Sequence, residues 1–150
     1  MTPEQKRTDS QTLYANLADY WYEVDNHGGH GTSVCFTEDG IFHAGNTAVV
    51  GRAAIEEYLL KRVSRGPRTS RHIISNFRAK FDSEDSATTH CVLILHAADG
   101  TPPLPLTAPV GIFDLIDRWV KTAEGEWLVA DRSFRPVFTA QAAAAAQSQQ

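Results

Sequence analysis

Cysteine is scarce in this chain. Only Cys35 and Cys91 occur, each inside an apolar run, so a small fold stapled by several disulfides is excluded. Both read as buried free thiols of a reducing cytoplasm. Long hydrophobic runs are missing too: no apolar stretch approaches the roughly 18 residues that a membrane span needs. The N-terminal MTPEQKRTDSQ has no apolar centre of the kind a secretory signal carries, and no membrane partner is expected. Basic stripes are equally absent. With 14 Lys and Arg against 18 Asp and Glu the formal net charge is −4, and nucleic acid is not an expected partner. Neither a G-x-G-x-x-G nor a Walker A sequence appears, so no nucleotide cofactor is expected.

What remains is a globular composition, 42% hydrophobic and 21% charged over 150 residues, which suits one domain. Such a domain buries roughly 68–70% of its extended-chain surface, enough to keep water out of an internal cavity. Apolar residues at Leu13, Leu17, Tyr20, Trp21 and Val24 predict an amphipathic helix over about 10–25, with the polar residues 1–9 disordered before it. The glycine-rich NHGGHG ends that helix. A short apolar segment, a turn at Thr37–Gly40 and a brief strand at Ile41–His43 follow, and then GRAAIEEYLLKRV reads as a second helix. Strands are expected near 71–81, 87–96, 110–121 and 126–135, with a proline-rich connector over 97–109. From 139 onward the chain is a low-complexity tail. Helices first and hairpin-linked strands after them predict an α+β fold, the helices packed on one face of a curved antiparallel sheet.

One strand poses a question. In SRHIISNFR, the alternation puts Ile73, Phe77, Ala79 and Phe81 on one face and His72, Ile74 and Asn76 on the other. Either the second face lines a polar pocket, or the histidine and asparagine are ordinary satisfied polar residues.

The words YWYEVDNHGGHGTSVCFTEDGIF, GRAAIEEYL, GPRTSRHIISNFRAKF and GIFDLIDRWVKTAEGEWLVADRSFRPVF, in that order, resemble the SnoaL-like branch of the nuclear transport factor 2-like superfamily. That branch includes polyketide cyclases and scytalone dehydratase-type lyases, and the resemblance covers about residues 10–138. It implies a cone in which a strongly bent sheet wraps the helices around a deep pocket. It also implies a homodimer through the back of the sheet and a hydrophobic small-molecule ligand. The superfamily hosts enzymes, binding proteins and scaffolds, so the reaction has to be argued from the site.

Asp25 lies on the helical line Tyr14, Ala18, Trp21, Asp25, which would turn its carboxylate and the Trp21 ring toward the core. At a helix C-terminus a negative charge is disfavoured, so Asp25 needs a donor or cation, unless it merely caps the glycine turn. The resemblance supplies a partner. An aspartate ending the first helix and a histidine beginning a central strand meet in the pocket, and Val24-Asp25 and Arg71-His72 match those positions. A carboxylate on one ring nitrogen would leave the other free to act as a base; the alternative is a structural histidine. His96, resembling the lyases' leaving-group acid, is a third catalytic candidate, although histidines at strand ends are often surface residues. His43, Asn76, Asp114, Trp21 and Arg132 are candidates for substrate contact, Arg132 pairing with Asp25 or Asp114. The chain departs from the dehydratase pattern where Val24 and His43 stand in place of two tyrosines that polarise the substrate carbonyl.

Asp25, His27, His30 and His43 could be read as metal ligands, but histidines three apart across glycines are not the helical pair of zinc proteases, and no metal is expected. The leading expectation is a cofactor-free lyase, isomerase or cyclase. Asp25 orients His72 for proton abstraction on a hydrophobic carbonyl compound, and His96 or His43 assists at the oxygen. The other reading is a non-catalytic binding or dimerising module.

Overall fold

The computed structural model describes residues 1–140, which form two α-helices and six strands. In chain order these are α1 (Pro3–His27), a 3-10 turn (Thr32–Cys35), β1 (Phe36–Ala44), β2 (Thr47–Val50), α2 (Arg52–Val63), β3 (Arg68–Phe81), β4 (Ser86–Asp99), β5 (Gly111–Lys121) and β6 (Trp127–Thr139). The α+β class is as expected, and the sheet is curved and unclosed with strand order β2-β1-β6-β5-β4-β3. It is mixed rather than wholly antiparallel, because β1 runs parallel to β6. The chain reaches that pairing by a long excursion through α2 and three strands, as a parallel neighbour requires. Residues 141–150, most of the expected tail, lie outside the described residues, while Thr139 closes β6.

Helix α1 begins a full two turns before the apolar pattern does, which corrects the expectation of a disordered segment over 1–9. Thr2 accepts from the Gln5 backbone amide and Gln5 returns a bond to the Thr2 amide, a capping box with Pro3 in the first turn. Lys121 holds the same turns down through a 2.9 Å ion pair to Asp9. At the other end Gly28 closes the helix at φ 68°. Leu13, Leu17, Tyr20 and Trp21 of α1 are buried against Leu93, Leu115, Trp119 and Val129 of the sheet. Strand β2 was not visible in the alternation, being four residues long and fixed by a turn at Gly45 (φ 62°).

A bulge decides which way β3 faces. Ser70, His72 and Ile74 face α1, Ile73 is 48% exposed on the outer side, and beyond the register shift between Ser75 and Arg78 the inward set becomes Phe77, Ala79 and Phe81. Asn76 sits at φ 53°, a left-handed conformation that asparagine tolerates better than most residues. One extra residue exchanges the two faces of a strand. His72 and Phe77 therefore point to the same side although one number is even and the other odd. A second shift, between Arg118 and Trp119 in the β5–β6 ladder, does the same for Val129 and Arg132, both buried.

Candidate functional site

The last turn of α1 brings Asp25 against the start of β3. One carboxylate oxygen accepts the Ser70 hydroxyl at 2.8 Å and lies 2.6 Å from His72 Nδ1. The other accepts the His72 backbone N–H at 2.8 Å. Asp25 and His72 side chains retain only 7% and 9% exposure, so this is a buried pair and not a surface contact. Burial pushes the Asp25 carboxyl upward, but the bonds from the His72 ring, the His72 amide and Ser70 outweigh it and hold the carboxyl below its ordinary value. These donors also answer the unfavourable helix end at which the charge sits. A carboxylate only accepts, so in the neutral imidazole Nδ1 carries the shared proton and Nε2 the lone pair. The Trp21 ring lies flat on the imidazole, centroids 4.1 Å apart and planes 12° from parallel. That stack fixes the ring's remaining freedom.

The lowered Asp25 carboxyl has a pH consequence. Its stabilising effect is complete well above the ordinary carboxyl value of 3.8 and is lost as pH falls through the lower folded value. Urea unfolding between pH 7 and pH 3 should show a steeper acid loss in the wild type than in Asp25→Asn. Parallel curves would mean that the carboxylate is not preferentially ionised in the folded state.

His72 opens on a cavity of about 390 Å³, walled also by Trp21, Phe42, His43, Tyr58 and Phe134. This is within the size range of small-molecule sites. His43 reaches the wall with its Nε2 3.2 Å from Asp131. Tyr58, which the sequence shows only as part of the apolar stripe of α2, also lines this wall, one position before the buried Leu59, so a tyrosine does stand in this cavity. A larger hollow of about 720 Å³ on the other flank of α1 contains neither Asp25 nor His72.

Several expected site residues are elsewhere. His96 lies on the outer face of β4 opposite Arg71, since Cys91, Leu93 and Leu95 take the inward positions. Asn76 is exposed at the bulge, accepting only from the Ser75 hydroxyl. Asp114 is outward on β5, bonded to Arg135 and 3.1 Å from His90. Arg132 pairs with neither Asp25 nor Asp114. It is fully buried and gives two parallel bonds, 2.8 and 2.7 Å, to Asp117, with its guanidinium 4.2 Å from the Tyr20 ring centroid. Burial opposes the Arg132 charge, but Asp117 more than compensates and holds its pKa above the ordinary value. The sequence did signal this pair: Asp117 alternates with Leu115 and Trp119, and an acid on a buried strand face demands a cation. The supposed metal residues diverge, His27 bonding Glu23 and His30 facing Glu56.

A curved sheet that holds a helix-borne carboxylate against a strand-borne imidazole in a cavity wall defines a cone-type α+β pocket protein. The chain belongs to the SnoaL-like domain family, whose profile matches residues 7–133, within the nuclear transport factor 2-like superfamily. Among solved structures it is similar to a protein of unknown function from Mycobacterium tuberculosis, determined as an aspartate-to-asparagine variant. The identity is 25% and the TM-score 0.76, over 94% of this chain and 79% of that one. It is also similar to a Catenulispora acidiphila protein in complex with S-DNPA (22% identity, TM-score 0.70, 91% of this chain and 98% of that one). ActVI-ORFA of Streptomyces coelicolor shares 21% identity with a TM-score of 0.67, over 83% of this chain and 95% of that one. The last two likenesses bear on fold alone. No curated protein sequence matches the chain significantly.

Proposed function

We propose that the chain is a small cofactor-free enzyme of the lyase, isomerase or cyclase kind, working on a hydrophobic carbonyl compound. The observation that carries this reading is the 2.6 Å Asp25–His72 contact in the wall of an aromatic cavity. His72 Nε2 takes a proton from the carbon next to the carbonyl, and Asp25 steadies the imidazolium that forms. His43 and Tyr58 stand in the same wall and are the groups available to a developing enolate oxygen. His96, on the outer face, has no part in it. A small-molecule complex of a fold neighbour, with S-DNPA, fits the idea of a ligand pocket. In the same reading two copies pair through the outer face of the sheet, where Ile73 and Val120 stay exposed, and the free thiols Cys35 and Cys91 suit a reducing compartment.

The test is proton exchange. Aromatic ketones bearing an acidic α-hydrogen are incubated with the protein in D₂O, and deuterium incorporation is followed by NMR. Wild type should exchange at least one of them, and His72→Gln should lose about 10²–10⁴-fold, the range for a positioned base. Ligands that bind without exchange in either protein would favour the binding module instead.

A further inference from the structure

Two arginines line the His72 cavity, Arg62 from the last turn of α2 and Arg68 from the first residue of β3. No carboxylate shares that wall. Elsewhere in the fold Arg132, Arg135 and Arg118 face carboxylates and Arg52 and Arg71 donate to the Phe36 and Ser70 carbonyls, while Arg7, Arg65 and Arg78 line no part of this cavity. Arg62 and Arg68 have no bonding partner among the described residues. The two neighbouring acids do not neutralise them. Asp25 lines an adjacent hollow that both arginines also border, but its oxygens are committed to Ser70 and His72. Asp99 is near enough to act on Arg62 electrostatically yet forms no ion pair. Burial and the like charges of Arg68 and Arg65 all work against the Arg62 charge and draw its pKa down. In a chain of net charge −4, three arginines gathered in the KRVSRGPR stretch, two of them on one cavity, leave an unanswered positive field. The basic stretch is visible in the sequence, contrary to the expectation of no basic cluster, but that Arg62 and Arg68 border the same cavity as His72 follows only from the fold.

We infer that Arg62 and Arg68 form an oxyanion subsite of the His72 cavity, so that its ligand is an amphipathic acid. Its ring system lies among Trp21, Phe42 and Phe134, and its carboxylate or phosphate lies on the two guanidiniums. Planar forked donors suit that geometry, and the apolar remainder of the wall suits a flat hydrocarbon. This identifies the substrate class of the proposed reaction and rests on that reading only for the word substrate. The subsite itself is a matter of binding.

Binding is therefore what the test reads. The full chain is titrated, following Trp fluorescence, with 2-naphthoate, 2-naphthyl phosphate and the neutral 2-acetonaphthone. The wild type should bind one or both anions about tenfold or more tightly than the ketone, the lower end of what charge-assisted hydrogen bonds supply, and added salt should narrow the gap. Arg62→Gln/Arg68→Gln should abolish the preference and leave ketone affinity in place. Arg68→Gln alone, at an exposed position, should reduce it without risk to folding. Arg78→Gln, on exposed β3, should leave it intact. Whichever anion is favoured names the substrate's group. Equal binding of acid and ketone by the wild type overturns the inference, as does a loss in Arg78→Gln equal to that of the double variant. Inorganic phosphate binding as tightly as naphthyl phosphate would overturn the amphipathic ligand. His72→Gln should keep the preference while losing proton exchange, so failure of the catalytic reading and failure of the subsite are separately visible.

Discussion

Arg132→Leu is expected to destabilise the protein by about 3–5 kcal/mol, the cost of leaving one member of a buried ion pair without the other. For a domain of this size that corresponds to a fall in Tm of roughly 6–20 °C. Arg132 is fully buried, and among the described residues it is the only cation bonded to Asp117, which is itself at 0% exposure. Removing it strands a buried carboxylate without its two donors. Asp117→Leu should cost about as much for the mirror-image reason. The double variant Asp117→Leu/Arg132→Met should be far less damaged than the two single costs added together, because no unpaired charge is left. Thermal unfolding of the four proteins forms the cycle. A single-variant loss below about 1 kcal/mol would show that the pair is hydrated or dispensable, against its burial here.

Asp25→Asn is expected to lose about as much proton-exchange activity as His72→Gln, roughly 10²–10⁴-fold, while the fold persists. The carboxylate compels Nδ1 to hold the proton. An asparagine amide can donate to Nδ1 instead, which moves the proton to Nε2 and removes the lone pair that would act as base. The imidazolium formed in the transition state would also lose its counter-charge. Near-wild-type exchange in Asp25→Asn, with His72→Gln inactive, would reduce Asp25 to an anchor between α1 and β3. Circular dichroism and urea unfolding of the same sample separate that outcome from simple misfolding.

Much of this architecture was legible along the chain. The spacing of Leu13, Leu17, Tyr20 and Trp21 located α1, and the resemblance of Val24-Asp25 and Arg71-His72 to family words brought together the pair now seen at 2.6 Å. Less legible was anything that depends on which way a strand faces. Asn76 shares the face of His72 when the strand is counted in twos, and His96 is a candidate by its resemblance to the lyases' acid, yet both are outside the cavity. For Asn76 the bulge at its own left-handed residue breaks the count. For His96 the strand begins from a different inward set, and only pairing with β3 and β5 establishes it.

By itself the sequence determined the family and, apart from β2 and the first turns of α1, the element types and their order, because these follow from local periodicity, turn residues and word order. It determined as well that a carboxylate near the end of α1 would need partners. Which partners, and what else shares their space, only the tertiary structure decided. Strand register, two bulges and the return of β6 beside β1 are long-range pairings. They join Asp117 to Arg132, turn Asp114 outward and bring Arg62 and Arg68 to the cavity of His72. A local pattern specifies what a residue can do, whereas the charges it meets across the sheet are set by contacts between residues far apart in the chain.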